Sequence, residues 1–589
     1  MIREWFRRRS KVASPAIPAT DRQATPPATH AVPPAPSIDV LAARGTEQMK
    51  AGRLDDASAT FEAILARDPR HLVGRYQRAN ILYMRGDFAA ARTSVDAALG
   101  MLGEQPDLLM LAGAIAASAR DPAEALERFE RARAVNPALP ELDERIGEQL
   151  AFLGQGQASI DAYDRALARE PDNLALGSNR LFLLNHFGLF DRERTFAEHR
   201  KWGERLERLV AADRKSHRND RSVDRPLRIG FVSGDLRDHP IAYWLEGFVR
   251  AHDRVNYPIV AFDVSPFDED AVTRRLRDAF DAWHRVGMLS AAELADFVRR
   301  QCIDVLVDLS GHTGHHRLAT FARKPAPVQV SWFGYMNTSG LTTIDWRLTD
   351  PQHDPPGSEA CYTEKLWRLP FVACFTPDPA SPDPGPSPHL RNGNVTFASA
   401  NNWAKVSEAA KDAWASILVR SPGARLKIIA RGGDRPGAAD AIRGELVRRG
   451  VQGDRIDVAP FMPLPQFLAF FRDVDVALDP FPYGGGTTTL HTLWMGVPIV
   501  ALWGDTELGR ATPTTLAGVG LPEFAARSIE GYVTLAATLA RDPSPLRDLR
   551  GRLRENVRSS VAMDYAGLAR NVEAAFRGMW RLFCVEGPT

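Results

Sequence analysis

Cysteine is scarce in this chain. Cys302, Cys361, Cys374 and Cys584 are the only four in 589 residues, and no two stand in a C-x-x-C spacing. Neither a disulfide framework nor a zinc knuckle is supported, and idle thiols in a reducing cytoplasm are expected. An excess of charge of one sign is also missing: 74 Lys and Arg face 73 Asp and Glu, a formal net charge of +1. That balance lacks the footprint of a protein built to neutralise a phosphate backbone, so nucleic acid is not an expected partner. Nowhere do the roughly 18 to 20 uncharged apolar residues of a membrane-spanning helix occur in succession. The opening MIREWFRRRSK has no apolar run behind its basic residues, unlike a secretory leader. No transmembrane segment is expected, and the chain reads as cytoplasmic. What is present is ordinary globular composition, 44% apolar and 25% charged, with length for roughly four folding units.

Residues 1–37 carry seven prolines among Ala, Thr and Ser, a composition that buries too little surface to offset chain entropy. A flexible tail is expected there. Its basic start, Arg3, Arg7, Arg8, Arg9 and Lys11 beside Trp5 and Phe6, would hold an anionic membrane only marginally, so a solvated tail is the expectation.

From residue 38 the chain repeats itself. Phe61, Val95, Phe129 and Tyr163 recur at intervals of 34, as do Ala57, Ala91, Ala125 and Ser159 four places earlier. Pro69, Pro106, Pro137 and Pro171 close successive units. A 34-residue helix-turn-helix period with A-x3-F and a terminal proline is the tetratricopeptide signature. Single hairpins of this kind cannot bury their faces alone, so residues 38–215 should stack into a superhelix. Its groove suits an extended peptide or another protein, and the alternative is a mere support for the C-terminal part of the chain.

The polar run at 213–226, DRKSHRNDRSVDRP, reads as a linker, after which the grammar changes. Short β-rich runs such as LRIGFVS (227–233) and IDVLVDLS (303–310) alternate with helix-length stretches, and VTFASA (395–400) to PIVALWG (498–504) repeat the pattern. Such alternation predicts parallel sheets with crossover helices. Proline-rich TPDPASPDPGPSP at 376–388 separates the halves. The expected architecture is therefore α + α/β: a repeat superhelix, a first lobe over 226–375 and a second over 390–589, with a ligand cleft between two doubly wound sheets.

The most informative segment is DPFPYGGGTTTLHTLWMGVP, 479–498. It leaves a strand, passes through Gly484, Gly485 and Gly486, and enters a helix at Thr487, Thr488 and Thr489. Glycines admit close approach of a ligand, and a helix start offers unpaired N–H groups and hydroxyls to an anion, which makes a phosphate cradle. It is neither a P-loop nor a G-x-G-x-x-G fingerprint, so ATPase and dehydrogenase chemistry are not indicated.

Together with SGDLRDHP (233–240), GHTGHHR (311–317), PAPVQVSWFGYMNTSG (325–340) and ANNWAKV (400–406), this segment resembles the O-GlcNAc transferase/SPINDLY family of inverting GT-B glycosyltransferases, over about residues 40–585. The resemblance implies His239 as general base beside the reacting centre and Lys405 on the donor diphosphate, with Asn402 nearby. It implies Gly485, Gly486, Thr487 and Thr488 around the diphosphate, with Phe467 against the nucleobase and His491 at the ribose. His312, Thr313, Tyr335 and Thr338 would shape the sugar and acceptor pocket. No cofactor and no metal are implied. Taken without the family, His239 is an ordinary histidine before a turn proline, and Lys405 a surface lysine at a helix. His312, His315 and His316 lack a neighbouring carboxylate, which speaks against a metal site. Asp473-Val474-Asp475 has the D-x-D form, but strand alternation explains it better.

The chain departs from the family at three places. His491 stands where most members carry a carboxylate, Phe467 where histidine is usual, and Met336-Asn337 where Pro-Gly is usual. A phenyl ring still stacks on a base, whereas imidazole cannot replace a carboxylate's two acceptors. The implied activity is transfer of GlcNAc from UDP-GlcNAc to Ser or Thr of proteins held by the repeats. The alternatives are another donor, GDP-fucose or UDP-glucose, an Asn acceptor, or a repeat scaffold that transfers nothing.

Overall fold

The structure is a computed structural model that describes residues 36–430, 433 and 437–585. The expected tail, 1–37, lies outside the described residues except for its last two. The chain divides into two compact units after Leu153.

The first unit is a row of helices from Ile38–Lys50 to Leu142–Phe152, paired as hairpins. The 34-residue period has a packing cause: Phe61, Val95 and Phe129 and, four places earlier, Ala57, Ala91 and Ala125 are all buried. Opposite them a small residue recurs at the same interval, Gly45, Ala79 and Gly113. A Cβ on Gly45 would sit 2.7 Å from the Phe61 ring, and one on Gly113 would sit 2.4 Å from Phe129. Each ring thus fills the space its facing helix leaves open. Burying one such side chain contributes roughly 1.5–3 kcal/mol.

The second unit opens with three more helices, Gly156–Arg169, Leu174–Phe187 and Arg192–Val210, in which Ser159 and Tyr163 continue the buried period. Two parallel sheets come next. The first comprises β1 (Ile229–Ser233), β2 (Ile259–Asp263), β3 (Ala282–Arg285), β4 (Val305–Asp308), β5 (Val328–Ser331), β6 (Trp346–Thr349) and β7 (Lys365–Arg368), in the order β3-β2-β1-β4-β5-β6-β7. The second comprises β8 (Thr396–Ser399), β9 (Arg425–Ala430), β10 (Ile456–Pro460), β11 (Val476–Leu478), β12 (Ile499–Leu502) and β13 (Ala525–Ala526), in the order β10-β9-β8-β11-β12-β13. Both orders are doubly wound, as the alternating pattern predicts.

Four strands gave no usable pattern in the sequence. β3, β7 and β13 are edges with half-exposed residues, and β6 carries Arg347, a cation in a core strand that breaks an apolar run. The polar stretch 213–226 is pinned rather than loose: Arg225 donates to both Asp304 oxygens at 2.8 and 2.6 Å and lies over the Trp580 ring. The closing helix Tyr565–Val585, within the stretch expected to form the second lobe, packs Leu568, Val572, Phe576 and Trp580 into the core of the first sheet. The proline-rich stretch is braced by Arg550, whose guanidinium donates to the carbonyls of Pro384, Gly385 and Val474.

Candidate active site

In a doubly wound sheet the strand order reverses beside its first strand, and the crevice outside the carboxyl ends there receives ligands. The loops after β1, β4 and β5 and those after β8, β11 and β12 meet around one cavity of about 290 Å³. His239 comes from the first loop and Trp244 from the helix that follows it, Pro240–Ala251; Thr313 comes from the second loop and Tyr335 from the third. The other lobe brings Asn401 and Lys405, the glycine turn with Thr487 and Thr488, and Glu507.

The glycine turn is shaped by a carboxylate behind it. Asp479 Oδ1 accepts from Gly485 N–H at 2.9 Å. A Cβ on Gly484 would lie 2.6 Å from Asp479 Oδ2, and one on Gly485 would lie 2.5 Å from Thr489 Oγ1, so only glycine fits. Burial pushes the Asp479 carboxyl up to about 7, against the Thr512 and Gly485 hydrogen bonds and the Lys405 charge. Helix Thr487–Trp494 then presents its N-terminus to the cavity. Thr487 Oγ1 accepts from Trp244 Nε1 at 2.7 Å, which leaves the threonine proton for a ligand. Lys405 holds its ammonium 3.7 Å from the centroid of Tyr483, a cation–π seat.

His239 caps helix Pro240–Ala251, its Nδ1 accepting from Ile241 N–H at 3.4 Å. Asp235 Oδ2 stands 3.8 Å from the same nitrogen. Burial lowers the His239 pKa, and Asp235 acts in the opposite direction.

Five expected site residues lie off the cavity wall. The Asn402 side chain caps the short turn Trp403–Lys405, and Asn401 lines the cavity in its place. His491 is boxed by the rings of Tyr243, Phe375 and Phe467 at 5.3, 5.1 and 6.1 Å, and burial lowers it to about 4. Phe467 packs edge-on to Phe471 at 5.2 Å on the second core. The Thr338 hydroxyl donates to Glu364 at 2.6 Å.

His312 belongs to a buried relay. Its Nε2 donates to Ser339 O at 3.0 Å, so its Nδ1 accepts from the Ser178 hydroxyl at 2.8 Å. Ser178 in turn accepts from His316 Nε2 at 2.9 Å, and His316 Nδ1 faces Leu318 N–H at 3.4 Å. His199 donates to Thr195 O at 2.7 Å and accepts from Tyr335 Oη at 2.8 Å. The His312 and His316 rings of the GHTGHHR segment thus serve to dock helix Leu174–Phe187 on the first lobe. Among the described residues no group of three or more His, Cys, Asp or Glu is placed to hold a metal ion. Asp475 of the D-x-D run instead accepts from Ser387, His389 N–H and Thr396 N–H.

Sequence reasoning missed the wall formed by Phe182, Asn185 and His186 of that same helix. It also missed the buried pair in which Arg347 Nη2 donates to Glu507 at 2.6 and 2.7 Å, joining β6 to helix Glu507–Gly518. Neither has a local signal: Asn185 meets Met336, His186 meets Tyr483 and Arg347 meets Glu507, each more than 100 positions away in the chain.

Residues 194–378 and 387–571 match the profile of glycosyl transferase family 41, and residues 42–108 match the tetratricopeptide repeat. This chain belongs to glycosyl transferase family 41. Among its family 41 relatives, it is 36% identical over 435 residues to the probable UDP-N-acetylglucosamine–peptide N-acetylglucosaminyltransferase SPINDLY of Oryza sativa subsp. japonica, covering 72% of this chain and 46% of that protein. The SPINDLY of Solanum lycopersicum is 36% identical over 425 residues, covering 70% and 45%. The chain spans less than half the length of these plant relatives. A mutant of the Thermobaculum terrenum O-GlcNAc transferase superposes with a TM-score of 0.79 at 37% identity, covering 88% of this chain and 99% of that one. The family 41 lobes and preceding helical repeats are therefore a GT-B-like arrangement, as the motifs imply.

Proposed function

We propose that the chain is an inverting, metal-independent protein glycosyltransferase. It moves a sugar, by default GlcNAc from UDP-GlcNAc, to Ser or Thr of proteins captured by the repeats in a reducing cytoplasm. The observation that carries this reading is the convergence of Lys405, Gly485, Gly486, Thr487, Thr488 and His239 on one cavity. The names of the rice and tomato relatives support the donor, and that of the Thermobaculum enzyme supports the sugar.

In the reaction the acceptor hydroxyl attacks the anomeric carbon while the bond to the diphosphate oxygen breaks. Negative charge grows on the leaving diphosphate, where Lys405 and the N–H groups of the Thr487 helix start stabilise it. His239 takes the hydroxyl proton through Nε2, which requires its own proton on Nδ1, toward Asp235. Thr313 and Tyr335 border the sugar and acceptor. Phe467 and His491 lie off the cavity wall, so their implied places at the nucleobase and ribose call for a donor that extends past the cavity, where His491 Nδ1 is buried without a partner among the described residues. His491 in place of a carboxylate is the observation that keeps UDP-glucose and GDP-fucose as alternative donors.

The test is incubation with UDP-GlcNAc, UDP-glucose or GDP-fucose and host lysate, read by intact mass and peptide sequencing. One donor should give adducts on Ser or Thr, and Lys405→Ala should lower transfer by about a hundredfold or more. Wild-type transfer by Lys405→Ala would sink the diphosphate role. Partner capture by the full chain with no donor consumed would favour the scaffold alternative.

A further inference from the structure

The last repeat hairpin lines the cavity with Phe182, Asn185 and His186. Asn185 is committed to the protein: its Nδ2 reaches Met336 O at 3.5 Å and its Oδ1 accepts from Asn337 Nδ2 at 3.0 Å. His186 is differently placed. Its ring lies 4.9 Å from the Tyr483 ring, the same ring that seats the Lys405 ammonium, and is flanked by Phe182 at 5.7 Å and Phe187 at 5.0 Å. Its Nδ1 is buried with no hydrogen-bond partner. Buried polar atoms are almost always paired; the enclosed Nδ1 has no surface to offer a ligand, so at the cavity wall the ring nitrogen left for one is Nε2, which makes no hydrogen bond to the described residues.

The chemistry of that ligand is set by the ring's charge. Burial, with the Lys405 charge, pushes His186 down to about 3, so the imidazole is neutral, with one donor and one acceptor nitrogen. A neutral ring offers no counter-charge to phosphate and suits an uncharged polar group. On the transferase reading above, the diphosphate lies at Lys405 and the glycine turn. The uncharged groups directly attached to it on the side of His239, Thr313 and Tyr335 are those of the transferred sugar. We propose that the repeat helix Leu174–Phe187 supplies part of the sugar subsite, with a ring nitrogen of His186 hydrogen-bonding a hydroxyl or acetamide of the donor sugar and so selecting among sugars. The structure thereby gives the repeat domain a share in donor choice in addition to acceptor capture.

Calorimetry on the full chain separates the possibilities, with UDP-GlcNAc, UDP-glucose and GDP-fucose and the free UDP and GDP as probes. His186→Ala should bind the free nucleotide within twofold of wild type and the matching nucleotide sugar about tenfold more weakly, the loss of one neutral hydrogen bond. His186→Gln, which keeps polar atoms at that place, should recover most of the affinity. Equal loss for nucleotide and nucleotide sugar, or no loss of either, overturns the proposal. So does an effect that appears only on transfer to protein, which would move the contact to the acceptor. A wild-type chain that binds none of the five probes overturns the donor reading itself, before any variant is made.

Discussion

A histidine acts as a base only through a nitrogen whose lone pair is free, and at His239 the flanking residues decide which nitrogen that is. Nδ1 now accepts a long contact from Ile241 N–H at 3.4 Å, which puts the proton on Nε2. Moving the proton to Nδ1 turns it toward Asp235 Oδ2, at 3.8 Å, and frees Nε2 for an acceptor hydroxyl. Asp235 is buried and also meets Arg237 at 3.4 Å, so its own position is fixed. Asp235→Asn should therefore lower kcat for transfer roughly tenfold to hundredfold while the donor KM stays within about twofold. Steady-state kinetics with saturating acceptor measure this, and an unchanged kcat removes Asp235 from the mechanism. The residue scale is also where the sequence was most legible. The Gly-Thr-Thr start was readable because its chemistry depends on local order, whereas the H-P pair and Lys405 were readable only through the resemblance to the family. Asn402 was misplaced by one residue: its Oδ1 accepts from Ala404 N–H at 3.3 Å, a local cap that turns it from the cavity and leaves Asn401 facing in.

At the scale of elements, the turn from β11 into helix Thr487–Trp494 separates two kinds of glycine. Gly485 is needed by the protein, since a Cβ there meets Thr489 Oγ1 at 2.5 Å and Asp479 Oδ1 at 3.2 Å. Around Gly486 a Cβ meets no atom within 4 Å; the space is open cavity. Gly485→Ala should thus lower both the melting temperature and the nucleotide affinity. Gly486→Ala should lower UDP or GDP affinity about tenfold with a smaller change in melting temperature, because the added methyl obstructs only the ligand. Calorimetry and thermal unfolding on the two variants check this, and nucleotide affinity unchanged by Gly486→Ala would remove the cradle role. Strands obeyed the same logic of legibility. Central strands such as β1 and β4, buried along their whole length, announce themselves as apolar runs. Edge strand β3, with three half-buried residues and an exposed one, does not, and β6 hides behind Arg347, whose reason is Glu507 in the other lobe.

Across the second unit as a whole, neutral histidines hold repeat and lobe together, and this gives the unit a dependence on pH. In the Ser178 relay each nitrogen is already assigned, so protonating His312 or His316 sets a donor against a donor; the same holds for His199 against Tyr335 Oη. Burial lowers His199 and His316 to about 4, and His312 well below its ordinary value, with the neighbouring rings and Arg317 adding to it. His491, at about 4, acts in the same sense. With folded values below the unfolded 6.5, these groups contribute stability that is complete above about pH 6.5 and is lost as pH falls toward 4. Each net proton amounts to roughly 1.4 kcal/mol per pH unit. Asp308 and Asp479, raised by burial to about 6 and about 7, oppose them, because their contribution is lost as pH rises through those values. Histidines outnumber these carboxylates, so the melting temperature should fall between pH 7 and pH 5. The His199→Gln/His316→Gln variant keeps hydrogen-bonding atoms but cannot take up a proton there. Its melting temperature should vary less with pH than that of the wild type, and an equal or steeper acid loss in the variant would show that the relay is not the source.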